Sequence, residues 1–186
     1  MKVREIKQNI LILEYRQEKG DEDYGSCLWA RFCFNLDKYE LFIMSDCGDY
    51  SYGWCPTPDS ESFLELMARI NEDYLLHKLC GEPKYFDYDA TKEHIYEYTD
   101  DDEDREKLDE IFDEIENEYI PESGETFIRM FDEYNVDEHN HVIFYDAWEM
   151  PVYVYTAHQK RICRIFRDCI QPRIREIVKE EKHEMQ

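Results

Sequence analysis

Residues Leu28 to Trp54 read L-W-A-R-F-C-F-N-L-D-K-Y-E-L-F-I-M-S-D-C-G-D-Y-S-Y-G-W. Aromatic and β-branched residues alternate with small or polar ones at period two, and N-L-D-K and D-C-G-D interrupt the alternation with turn-forming residues. The stretch predicts an antiparallel meander of three strands. In its first strand Trp29, Arg31 and Cys33 share one face, and Leu28, Ala30, Phe32 and Phe34 share the other. Both faces are substantially apolar, so both are expected to be covered. Upstream, N-I-L-I-L-E-Y-R over residues 9–16 is β-prone and predicts a strand pairing with the meander; a helix over residues 2–16 is the competing assignment.

Helices are expected to follow. After C-P-T-P, Asp59 or Ser60 can accept the amide hydrogens of a helix reaching Ile70, in which Phe63, Leu64, Leu66, Met67 and Ile70 recur at helical spacing. Tyr74 to Leu79 continue that helix or begin another, and Gly81 with Pro83 supplies the stop. K-Y-F-D-Y over residues 84–88 suggests a short strand, and Asp89 or Thr91 a cap for a brief helix carrying Ile95 and Tyr98. Leu108, Ile111, Phe112, Ile115 and Tyr119 then form the apolar stripe of an amphipathic helix that Pro121 ends. Glu125 to Tyr134 presents Phe127, Ile128 and Phe131 inward. Residues 142–155 hold two aromatic-rich runs about Pro151, compatible with strands or with a buried connection. From Thr156 a long helix is expected, kinked where Pro172 removes an amide donor. The fold class is α+β: an antiparallel N-terminal meander of three to four strands covered by several helices, with a long kinked C-terminal helix. Residues 1–186 are expected as one domain, mainly β to residue 58 and mainly α beyond it, because no repeat or Gly/Ser-rich linker divides them.

Composition supports a folded chain with an unusual surface. A chain of 186 residues with 15% aromatics can bury roughly 70% of its unfolded surface and is unlike aromatic-poor disordered acidic chains. The net charge is -23, a self-repulsion that solubility, extreme salt or a basic partner would explain. It is unevenly spread. Residues 156–186 carry eight Lys or Arg against five Asp or Glu, whereas residues 1–155 carry 14 against 40. The seven Cys include no C-x-x-C, and M-K-V-R-E-I-K lacks the apolar run of a secretory signal. No stretch has the 18 or so apolar residues of a membrane span. A soluble protein with reduced thiols in a bacterial cytoplasm is the expectation.

The densest acidity lies between Lys84 and Asn135, with 20 acids against five bases. Asp100, Asp101, Asp102, Glu103 and Asp104 suit the approach to a helix N-terminus, whose free amides carry partial positive charge. Glu106, Asp109, Glu110, Asp113 and Glu116 then face outward on the amphipathic helix. These ten carboxylates form the candidate partner-binding surface, since a line of negative charge coarsely reproduces a nucleic-acid backbone. A coat for solubility is the plain alternative.

The basic terminal helix, with Lys160, Arg161, Arg164, Arg167, Arg173 and Arg175, could meet phosphates. Pairing with the acidic body is favoured over that, within the chain or across a homodimer, so neither direct DNA binding nor a membrane is expected. Cys27, Cys33, Cys47, Cys55, Cys80, Cys163 and Cys169, with His77, His94, His139, His141, His158 and His183, offer no four-ligand set at structural zinc spacing. No metal and no cofactor are expected. In S-D-C-G-D, Asp46, Cys47 and Asp49 stand together and could serve as a nucleophile or a magnesium site, although a hairpin turn needs Asp and Gly anyway.

At W-A-R-F, Y-E-L-F-I-M-S-D-C-G-D-Y-S-Y-G-W, S-F-L-E-L-M-A-R-I and Y-L-L-H-K-L, mainly over residues 28–80, the chain resembles small proteins of phages and prophages of Gram-positive bacteria. It is similar to type II-A anti-CRISPR proteins, the inhibitors of Cas9. The resemblance implies a host Cas9 effector, or its guide-RNA complex, as partner. It leaves open a binder that blocks DNA or guide engagement, favoured by the charge, and a ribonuclease that truncates the guide using carboxylates such as Asp46 and Asp49. An acidic phage regulatory or structural protein without a Cas target is a third class.

Overall fold

A computed structural model describes residues 3, 5–21, 23–56, 61–136, 142–145 and 147–184, with Trp148 and Glu184 as backbone only. In chain order the elements are β1 (Ile10–Arg16), β2 (Trp29–Asn35), β3 (Glu40–Ser45), β4 (Tyr50–Gly53), α1 (Phe63–Arg69), α2 (Glu72–Cys80), β5 (Tyr85–Phe86), α3 (Tyr88–Glu97), α4 (Asp102–Glu118), α5 (Gly124–Tyr134), β6 (Tyr153–Val154), α6 (Ala157–Ile165) and α7 (Gln171–Glu184). The protein is α+β: an antiparallel four-stranded N-terminal sheet followed by helices, the last of them long. The described residues pack as two compact units, Met1–Glu82 with Thr156–Gln186, and Pro83–Tyr155.

In the first unit β1 to β4 pair in sequence order, so the strand expected over residues 9–16 does join the meander. Ala30, Phe32, Phe34, Leu41 and Ile43 are buried on one face, where Phe34 meets Phe63 of α1 at 6.2 Å and Phe32 meets Phe166 at 6.1 Å between ring centroids. Phe63 also packs on Trp54, whose indole N–H donates to Tyr74 Oη of α2 at 3.0 Å. The opposite face departs from expectation. Within its own unit no described element packs on it, and Glu14 and Arg31 pair across β1 and β2 in its midst.

The helix boundaries are set by caps. Ser62 begins α1 with a capping box to Glu65; Asp59 and Ser60 lie outside the described residues. Ile70 adopts an extended conformation and Asn71 caps a separate α2, which ends at Gly81 with φ +71°. Pro172 does not break the terminal helix. Residues Phe166–Ile170 form a π turn in which the Gln171 amide reaches back to the Phe166 carbonyl, and this wider turn joins α6 to α7.

Gln171, 3% exposed, donates its amide to the Met67 and Ile70 carbonyls at 3.0 and 2.7 Å, and Arg175 Nε donates to the Ala68 carbonyl at 2.8 Å. Side chains of α7 thus satisfy the free carbonyls at the end of α1. The terminal helix is also paired with acids of its own unit: Arg161 with Asp23 at 3.1 Å, Lys182 with Glu65 at 2.6 Å, and Arg167 with Glu72 and Asp168.

In the second unit β5 pairs with β6, and Ile95, Leu108, Ile111, Phe112, Ile115, Phe127, Met130 and Phe131 form the core. Asp87 caps α3, in place of the Asp89 or Thr91 expected. Thr91 is instead buried, donating to the Asp87 carbonyl and accepting from the Val152 amide at 2.9 Å. Tyr98 and Tyr119 terminate α3 and α4 at the surface rather than continuing their apolar stripes. Of residues 142–155, Val142 bridges to Val136, Ala147–Glu149 make one 3-10 turn, and Tyr153–Val154 form the strand.

Replacing Gln171 with Ala strands two buried carbonyls and is expected to cost about 1 to 3 kcal/mol in urea unfolding. An unchanged midpoint would show that α7 does not cap α1 through this amide.

Candidate acidic binding surface

Helix α4 owes its existence to two opposed features of its sequence. Asp101 caps it, accepting from the Glu103 and Asp104 amides, and Asp102, Glu103 and Asp104 fill the first turn, where the helix dipole favours anions. Leu108, Ile111, Phe112 and Ile115 anchor it in the core. Every remaining carboxylate of the helix points away from that stripe.

The ten acids picked from the sequence divide by what they touch. Glu103 and Asp104 share Lys107 at 3.1 and 3.9 Å. Glu116 accepts from Lys92 Nζ at 2.7 Å and Tyr88 Oη at 3.2 Å, and the Lys92 contact holds its carboxyl below the usual range. Asp109 accepts from the Tyr96 hydroxyl; burial first, and this carboxylate second, push the Tyr96 phenol up. Asp100, Asp102, Glu106, Glu110 and Asp113 are exposed and carry no ion pair or side-chain hydrogen bond to a described residue. Glu110, Asp113 and Glu114, together with Lys107, line a cleft of about 440 Å³ between α4 and Tyr134, Val136 and Ile143. Glu114 escaped the sequence reading, although it lies four residues after Glu110 on the same helix face.

The two units divide the charge unequally. Pro83–Tyr155 holds 24 acids against five bases, and the rest of the chain 21 against 17. The second unit therefore carries 19 of the 23 excess negative charges.

The S-D-C-G-D turn is arranged differently from the sequence expectation. Asp46 Oδ2 accepts from the Leu28 amide at 2.8 Å, and Oδ1 from the Trp29 amide at 3.4 Å and from Cys27 Sγ at 3.2 Å. Cys47 Sγ donates to the Ser26 carbonyl at 3.1 Å. Among the described residues, the ligand-type grouping of three is Cys27, Asp46 and Cys47; Asp49 is not a member. Burial pushes both thiols up, and Cys27 is raised further by its hydrogen bonds to Cys47 and Asp46. Protonated thiols and a carboxylate already accepting three hydrogens make this a bracket for the start of β2. Cys27 joins the turn only through tertiary pairing of β2 with β3, and no local signal announces it. His139 and His141 lie outside the described residues.

A family model described as a phage family, phiTE_072, matches residues 1–176. The chain belongs to this phage family. No curated protein and no solved structure matches it. Among the described residues, no helix is long and apolar enough to cross a membrane.

Burial opposes ionisation of Asp46, but the Leu28 amide, the Cys27 thiol and the Trp29 amide outweigh it and hold the carboxyl below its ordinary value. Its stabilisation is thus present above the unfolded value near 4 and lost as pH falls through the lower folded one. Asp46→Asn is expected to cost about 1 kcal/mol at pH 7, a gap that closes in unfolding measurements as pH falls below 4. A gap independent of pH would remove the carboxylate from the account.

Proposed function

We propose that this phage protein acts as an anionic ligand, its Pro83–Tyr155 unit occupying a cationic nucleic-acid channel of a host protein. The observation that carries this is the concentration of charge in one unit, which sets on α4 a row of carboxylates without an ion pair to a described residue, beside a cleft lined by three acids and Lys107. Lys and Arg side chains that would hold phosphates meet carboxylates instead, and each pair formed excludes nucleic acid from the same place. A Cas9 effector, or its guide-RNA complex, is the partner in this proposal: such effectors hold their nucleic acids in positive channels and read the target-flanking motif with arginines. The chain acts stoichiometrically, by occupancy, and the guide stays intact.

The test is binding to a Cas9 effector at about 50 and 200 mM salt, with and without guide RNA. Affinity is expected to fall steeply with salt and to drop at least about tenfold, 1.4 kcal/mol, when Glu106, Glu110 and Asp113 are changed together to Lys. Salt-independent binding, or binding unchanged by that reversal, overturns the electrostatic assignment. A guide shortened on incubation, with shortening lost in Asp46→Asn or Asp49→Asn, replaces occupancy with guide cleavage.

A further inference from the structure

The bracket at the start of β2 holds more sulfur than hydrogen bonding requires. Cys27 and Cys47 are 1% and 3% exposed, and their Sγ atoms lie within 4.8 Å of each other and of an Asp46 carboxylate oxygen. A thiol is a weak donor, and a serine hydroxyl would serve Asp46 Oδ1 or the Ser26 carbonyl better. A cysteine buried only as a small apolar group needs no polar contact at sulfur. Cys163, also buried, makes no hydrogen bond to a described residue. What two converging thiols and a carboxylate supply together is a donor set for a thiophilic cation.

The geometry suits zinc. Zinc bonds thiolate sulfur at about 2.3 Å and carboxylate oxygen at about 2.0 to 2.2 Å, so neighbouring donors of a tetrahedral site stand about 3.5 to 3.8 Å apart. Cys27 Sγ is already 3.2 Å from Asp46 Oδ1, and no pair of the three donors has to close by more than about 1 Å. The two thiol protons, directed at Asp46 Oδ1 and at the Ser26 carbonyl, are what the cation replaces. Asp46 Oδ2 keeps the Leu28 amide at 2.8 Å, an outer hydrogen bond that orients the ligating carboxylate. Asp46 is exposed, which gives the cation and a water a way in. Two thiolates, a carboxylate and Zn²⁺ leave one negative charge. Arg161, whose charge favours the anionic form of Cys47 and whose buried Nε has no hydrogen-bond partner, stands ready to balance it.

We infer that Cys27, Cys47 and Asp46 bind one zinc ion per chain, with water in the fourth position, fastening the entry to β2 onto the turn between β3 and β4. Binding releases two protons to solvent and changes no oxidation state. The spacing of the cysteines in the sequence does not announce such a site, because its ligands meet only through the β2–β3 register. The acidic surface takes no part, so the two sites fail separately.

The test is titration of the full chain, reduced and stripped of metal by a chelator, with Co²⁺ and then Zn²⁺. The expected result is one cobalt per chain with sulfur-to-metal charge-transfer absorption, displaced by zinc, and binding at least about tenfold weaker in Cys27→Ser, Cys47→Ser and Asp46→Asn. Cys55→Ser, Cys169→Ser and the joint reversal of Glu106, Glu110 and Asp113 leave it unchanged. X-ray absorption of the zinc-loaded wild type, which needs no variant to fold, is expected to show two sulfurs at about 2.3 Å and oxygens at about 2.0 Å. A titration without sulfur charge transfer overturns the inference, as does wild-type affinity in the Cys27 or Cys47 variant, or a zinc shell with fewer than two sulfurs.

Discussion

The packing of Phe32 against Phe166 joins the two ends of the chain, and the rest of the first unit depends on it. A four-stranded meander with one apolar face is not stable until that face is removed from water, and each buried Phe side chain contributes about 1.5 to 3 kcal/mol when it is. The cover comes from α1, next in sequence, and from the terminal helix, more than a hundred residues away. The π turn at Phe166–Ile170 has two consequences. It accommodates Pro172 without ending the helix, and it lies where Phe166 meets the sheet and Gln171 reaches the carbonyls of α1.

That arrangement lets the acidity be tolerated. Carboxylates crowded along α4 repel one another, and the repulsion opposes compaction of the unit that bears them. The first unit, with its acids and bases nearly balanced and Arg31, Arg69, Arg161, Arg167 and Arg173 paired within it, is spared most of this. Within Pro83–Tyr155 the counterweight is aromatic: Phe112, Phe127 and Phe131 interlock with ring centroids 5.5 to 6.5 Å apart, and Lys92 sits over Phe112 while pairing with Glu116.

Much of this is legible in the sequence because the signals are local. Alternation in residues 28–54 and the 3–4 spacing of Leu108, Ile111, Phe112 and Ile115 each report a face that must be buried, and the structure buries it. What is not legible is nonlocal. The coupling of Asp46 to Cys27 depends on strand register, and the burial of Thr91 depends on Val152, so a residue suited to cap a helix is used to tie two segments together. The opposite sheet face was expected to be covered because its apolar residues resemble those of the covered one. Composition alone cannot separate a surface awaiting its own chain from one left free. Even the candidate acidic surface is only half legible: the acids themselves are plain, but the concentration of their excess in one unit emerges only when contacts define the units.

The short β5–β6 pairing closes the second unit at its base, since Tyr85–Phe86 and Tyr153–Val154 hold its first and last residues side by side. A segment that leaves and re-enters at adjacent points imposes little on its host beyond loop-closure entropy, which grows only slowly with length. Pro83–Tyr155 thus has the topology of an exchangeable cassette. Sequence change in the charged module is thereby uncoupled from the carrier, which its terminal helix seals and which keeps its own fold.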